Sequence, residues 1–250
     1  MDPVMPVEEY LEKGGKLSSP GNAPARYRGE LMRLMSSFVD SALAGSAGFA
    51  GAINWAPGIK ERIAASRITL EKADHAERVL DLMADFGTDK GRYERAHDWA
   101  ARAPREAEIG ARRQGGDMRL SVFHYPLTGW TDAVAMNVLM GLATGVQLAE
   151  TARCSYAPLA EAVREIAPRE RRHTELGIEG LERIVARGGA EAARAALAYW
   201  HPRVAETFGP AGSARFETQR RLGLRHVPNE ALREEWRAAA EAHLARLSLA

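Results

Sequence analysis

The chain has 250 residues, with 46% hydrophobic and 27% charged content, and a formal net charge of +1 from 34 basic and 33 acidic side chains. Near-zero charge gives no electrostatic footprint for nucleic acid or an anionic membrane. The lone Cys154 excludes an intrachain disulfide and fits a reducing compartment. The opening "MDPVMPVEEYLEKGG" is acidic and lacks an apolar core, so it does not read as a signal peptide. "VAMNVLMGLATGVQLA" comes nearest to a membrane span but carries Asn and Gln and falls short of ~20 apolar residues. The expectation is a cytoplasmic protein with no membrane and no nucleic-acid partner.

Residues 1–25 end in the Gly-, Ser- and Pro-rich "GGKLSSPGNAP" and read as a flexible arm; 26–250 read as one helical domain. Hairpin signals and alternating β-branched runs are missing, and Ala, Leu, Arg and Glu dominate. The first long helix is predicted from Tyr27 to Leu43, with Leu31, Leu34, Met35, Phe38 and Ala42 on one face and "AGSAGFAGAINWAPG" as a break. A second runs from after Pro57 to Phe86, stopped by Gly87, and a shorter one covers 88–100. After a long connection, a third core helix spans Trp130–Arg153 with Val134, Val138, Gly141, Gly145 and Leu148 on one face. A fourth spans Ala157–Arg187, with Pro158 in its first turn and Pro168 predicting a kink or a break. "GGAEAARAALAYWHPRVAETFGP" and "PNEALREEWRAAAEAHLARL" supply two more, the latter with Asn229 as N-cap. The fold class is all-α, a four-helix bundle with accessory helices.

Two of these helices put ionisable residues on their buried faces. "KADH" places Lys72 and His75 three apart, and "ERRH" places Glu170 and His173 three apart among Val163, Ile166, Gly177 and Leu181. Residues i and i+3 share a face, so a carboxylate and an imidazole can converge on one ion. Glu-x-x-His on facing helices is the ligand arrangement of ferritin-like di-metal proteins. "KADH" offers an ammonium where the carboxylate belongs. Burying these groups singly costs several kcal/mol, so Lys72 and Glu170 could neutralise each other, leaving the histidines as hydrogen-bonded core residues.

"INWAPGIKERIAASRITLEKADHA", "FHYPLTGWTDAVAMNVLMGLATGVQLAETARCSYAPLAEAVREIAPRERRH" and "WHPRVAETFGPAGSA" carry a resemblance to the phenylacetic acid catabolic proteins. These are the ferritin-like large subunits of ring-1,2-phenylacetyl-CoA epoxidase, and the chain is more similar to the catalytic subunit. The resemblance implies a ferritin-like bundle and, in an active member, a di-iron monooxygenase that epoxidises an aromatic acyl-CoA. It also implies homo- or hetero-oligomers. The ligand positions it implies fall at Ala42, at Lys72 and His75, at Gly141, and at Glu170 and His173. His75, Glu170 and His173 are thus the metal ligands if any metal binds, and Ala42, Lys72 and Gly141 are lost ligand positions.

About four carboxylates balance a di-iron charge, so no resident cofactor is expected, with iron as the alternative. Three readings follow: a pseudoenzyme or subunit built on an ion-pair core; an oxygenase with a remodelled or mononuclear two-His-one-carboxylate site; and a small-ligand binder using room left by Ala42, Gly141 and Gly145. Glu71, Asp74, Asn137 and Glu150 are oxygen donors only under a shifted register, and Asp74 is expected to face sideways. Arg105, Arg112, Arg113 and Arg119, beside a Gly-rich turn, are the candidates for the phosphates of a CoA ester.

Overall fold

The computed structural model describes residues 5–111 and 116–249. Among them the protein is all-helical, with nine α-helices: α1 Val7–Glu12, α2 Ala25–Ala52, α3 Ile59–Ala84, α4 Lys90–Glu94, α5 Trp130–Thr151, α6 Ala157–Ala186, α7 Ala190–Ala205, α8 Ala214–Arg221 and α9 Asn229–Arg246. Short connections make α2/α3 and α5/α6 the two closely packed pairs, and α3 against α6 joins them. The long crossover over 85–129 links the pairs, which is the ferritin-like bundle with accessory helices around it. α7 and α9 cover the outer side of α5. By length and composition α5 could cross a membrane, yet it is the central core helix here, with Val134, Val138, Leu139 and Ala143 buried among its neighbours.

Several boundaries differ from the sequence expectation. α2 does not stop at Leu43 but continues through "AGSAGFAGA". Its glycines are packing residues: a Cβ on Gly45 would lie 3.1 Å from Lys72 Cδ and 3.3 Å from Phe123. Tertiary contact there overrides the weak helix propensity of Gly and Ser. α4 is five residues long, not thirteen. The carbonyls of Asp98, Trp99 and Ala101 instead accept from the Arg119 guanidinium. α6 runs unbroken across Pro168, its inner face packed on both sides of the proline by Val163, Ile166, Glu170 and His173. Asn229 is the first residue of α9 and not its cap, because its side chain is committed to Arg225 and to the Pro210 carbonyl.

Much of the expected N-terminal arm is laid on the body. Leu11 and Leu17 are buried, the Leu17 N–H donates to the Ser155 carbonyl, and the Ala157 N–H donates to the Leu17 carbonyl. Gly145, expected on the inner face of α5, is exposed.

The crossover is anchored by two buried carboxylates. Asp40 on α2 accepts from Tyr93 Oη at 2.7 Å and the Met118 N–H at 2.6 Å. Asp132 on α5 accepts two bonds from Arg105, at 2.8 and 3.0 Å, one from Trp200 Nε1 at 2.8 Å and one from the Thr128 N–H at 3.0 Å. The Arg105 guanidinium also lies 3.7 Å from the centre of the Tyr199 ring. Removing one member of such a network strands its partners. Asp132→Ala should therefore cost about 3 kcal/mol in urea unfolding, most of it not recovered in Asp132→Asn, which offers one acceptor oxygen where the carboxylate offers two.

Candidate functional site

α3 and α6 bring four side chains together in the bundle core. Lys72 and His75 come from one helix and Glu170 and His173 from the other, both pairs at i, i+3. His75, Glu170 and His173 are buried. Lys72 Nζ donates to both Glu170 oxygens, at 3.1 Å each. The same carboxylate accepts at 2.9 Å from His75 Nδ1, which must carry the proton because a carboxylate only accepts. His173 Nδ1 lies 3.4 Å from Glu170 Oε2, an ion-pair distance without hydrogen-bond geometry. The two imidazoles stack, with centroids 5.8 Å apart and planes 30° apart.

Two further residues complete the cluster. Glu71 Oε2 accepts from His173 Nε2 at 2.6 Å, and Asn137 Nδ2 donates to the His173 carbonyl at 2.8 Å. Glu71 lies four residues before His75, so helical spacing places it at the border of the same face. That spacing was the signal for it, although sequence reasoning admitted it only under a shifted register. Asp74 turns sideways to Arg78 at 3.0 Å and also pairs with Arg169. Within the described residues His75 Nε2 has no hydrogen-bond partner.

Burial pushes the Glu170 carboxyl up, but the Lys72 ammonium, the adjacent His173 imidazole and the hydrogen bond from His75 outweigh it and hold the group well below the ordinary carboxylate range. The small residues beside the cluster differ in what they leave open. A Cβ on Gly141 would sit 2.4 Å from Thr174 Oγ1, so Thr174 fills the space that Gly141 vacates. Ala42 lines a cavity of about 210 Å³ that also reaches Lys72 and Glu170. Leu34, Phe38, Phe123, Met140 and Phe208 form its apolar wall, and Glu150 and Arg225 add polar groups to the lining. Sequence reasoning missed Arg225, which is brought to the cavity by the chain between α8 and α9 and has no spacing signal to α5. Glu150 turns its Oε1 to the backbone N–H groups of His226 and Val227.

Of the arginines suggested for CoA phosphates, the two that lie among the described residues are both engaged inside the protein. Arg119 is wholly buried and paired with Asp117 at 2.9 Å, and Arg105 is spent on Asp132. Both therefore serve the fold, Arg119 as a buried guanidinium held by an internal carboxylate and Arg105, part-exposed, through its two bonds to Asp132. Arg112 and Arg113 lie outside the described residues.

The sequence profile of the phenylacetic acid catabolic protein family matches residues 16–250. The chain belongs to this family. No curated protein matches it. As a phenylacetic acid catabolic protein it is of the ferritin-like oxygenase type, and the α3/α6 cluster lies where that bundle converges its inward polar residues.

The lowered carboxyl of Glu170 fixes the sign of a pH dependence. Its contribution to stability is complete above the ordinary value of 4.5 and falls away as pH drops below that toward the folded value. The stability gap between wild type and Glu170→Gln, measured by urea titration, should stay level from neutral pH down to 4.5 and shrink at lower pH.

Proposed function

We propose that this phenylacetic acid catabolic protein is an altered-site member of its family in which an internal ion pair stands where metal charge would sit. It then acts as a non-catalytic oxygenase-type subunit, or as a binder of an aromatic acyl-CoA or similar small ligand in the Ala42 cavity. The observation that carries this reading is Lys72 Nζ at 3.1 Å from both oxygens of Glu170.

The donor set does not fit a di-iron centre. Such a centre draws on about four carboxylates, whereas the cluster offers Glu170, already engaged by Lys72, and Glu71, already engaged by His173. Ala42 carries no donor, and at Gly141 a carboxylate side chain would collide with Thr174. A cation placed on Glu170 would face the Lys72 ammonium inside the bundle, where like charges repel more strongly than in bulk water. The cavity supports the ligand-binding half of the proposal. Its apolar wall suits an aryl or acyl body, and Lys72 and Arg225 are the cations in its lining.

One observation favours a second reading, an active oxygenase with a remodelled or mononuclear iron site. His75 and His173 both turn Nδ1 toward Glu170, which is the two-His-one-carboxylate set of non-haem iron enzymes. That reading requires Lys72 to leave the carboxylate.

Elemental analysis after anaerobic reconstitution with Fe(II) separates the two. The expected result is iron well below one equivalent; stoichiometric iron that disappears in His75→Ala overturns the ion-pair reading and installs the second. For the ligand, calorimetric titration with phenylacetyl-CoA should show binding that is lost in Ala42→Phe, which fills the cavity. Equal heats for both proteins would place the ligand elsewhere.

A further inference from the structure

The Ala42 cavity has a cation at one end that the chain leaves without an ion pair. Its two ends follow from helix geometry. Lys72 and Glu170 mark one: Lys72 lies beside Gly45, just past Ala42 on α2, and Thr174, one turn from Glu170, lies against Gly141 on α5. Arg225 marks the other, where the backbone N–H groups of the next two residues, His226 and Val227, donate to Glu150. Gly141 and Glu150 are nine residues apart in sequence, ~14 Å along the helix. The cavity therefore runs lengthwise along α5, with the rings of Phe38, Phe123 and Phe208 in its wall.

The two ends differ in what is left over. At the first, the Lys72 ammonium and the Glu170 carboxylate satisfy each other at 3.1 Å. At the second, Glu150 turns Oε1 to the two backbone N–H groups, and its Oε2 has the Arg153 guanidinium at 3.7 Å. Arg225 has no ion-pair partner among the described residues, and Glu150 acts on it only from beyond ion-pair distance. Two of its N–H donors are used, one on Asn229 Oδ1 at 2.7 Å and one on the Val227 carbonyl at 3.1 Å. A partly buried guanidinium with donors to spare is the group that takes a carboxylate. Gln147, in the same wall, adds an amide donor near that end.

Size narrows the ligand further. An apolar cavity of ~150 Å³ holds benzene, so one of about 210 Å³ holds a single ring with a short chain. The CoA portion of a thioester has to stay outside such a space. We infer that the cavity binds an unactivated aryl-alkanoic acid, with its carboxylate on the Arg225 guanidinium and its ring toward Phe123 and Ala42. The inference rests on the ligand-binding half of the proposed function and gives that site an orientation and a charge preference. A neutral amide of the same shape fills the same space but leaves the guanidinium unpaired.

Calorimetric titration of the full chain with phenylacetate and with phenylacetamide tests this. The wild type should bind the acid at least about tenfold more tightly than the amide, the worth of one charge-assisted bond. In Arg225→Gln the acid should fall to the level of the amide while the amide is unchanged, which shows the cavity still folded. Arg225→Lys should keep part of the preference for the acid. No binding of phenylacetate, equal affinities in the wild type, a preference that survives Arg225→Gln, or equal weakening of acid and amide in that variant each overturns the inference. Phenylacetyl-CoA that binds and is lost in Ala42→Phe, with no binding of phenylacetate, overturns this inference and leaves the proposed ligand site standing; binding of neither overturns both.

Discussion

The bond between Lys72 and Glu170 is the constraint on which the core of this protein depends. It joins α3 to α6, and so joins the two helix pairs of the bundle, at a largely buried point beside the Ala42 cavity. Neither charge could stay there alone, because a buried ion without a partner costs several kcal/mol. Once paired, the carboxylate also fixes His75 through Nδ1, and His173 is held from its outer side by Glu71. Four ionisable side chains and Glu71 therefore form one network whose members hold one another in place. In such a network the loss of any member is felt by all.

The same pair shapes what the site can do. A ferritin-like bundle ordinarily has inward polar residues because metal ions need donors. Here a side-chain cation meets the main buried carboxylate, and the neighbouring small residues divide into two kinds. Gly141 is closed over by Thr174, while Ala42 opens into a cavity with an aromatic wall. The space beside the cluster is thus packed at one position and open at the other. This asymmetry ties the chemistry of the core to its shape, and it is the basis on which the proposed function sets binding above redox work.

Away from the core, two carboxylates do the organising that a regular element would do elsewhere. Asp40 and Asp132 gather the crossover between the helix pairs through backbone N–H groups, a tyrosine, an indole and a guanidinium. Long irregular segments carry many backbone groups that need partners, and these residues supply them. Arginines that sequence context associates with phosphate recognition are consumed in this task, as Arg105 and Arg119 show.

Helical periodicity was enough to establish the all-α bundle, its four long helices and the inward direction of Lys72, His75, Glu170 and His173, because i, i+3 and i+4 relations depend only on helix geometry. What periodicity does not carry is contact across elements. The extension of α2 past Leu43 rests on Gly45 packing against Lys72 and Phe123. The early end of α4 follows from Arg119 taking its neighbours' carbonyls. The cavity arises where Ala42, Phe123, Met140 and Phe208, far apart in the chain, meet. Glu71 was visible at the edge of a face, but only the approach of α6 turned it toward His173. The sequence by itself determined which residues point inward. The tertiary structure alone decided which of them touch, because distances between helices depend on the packing of every side chain between them.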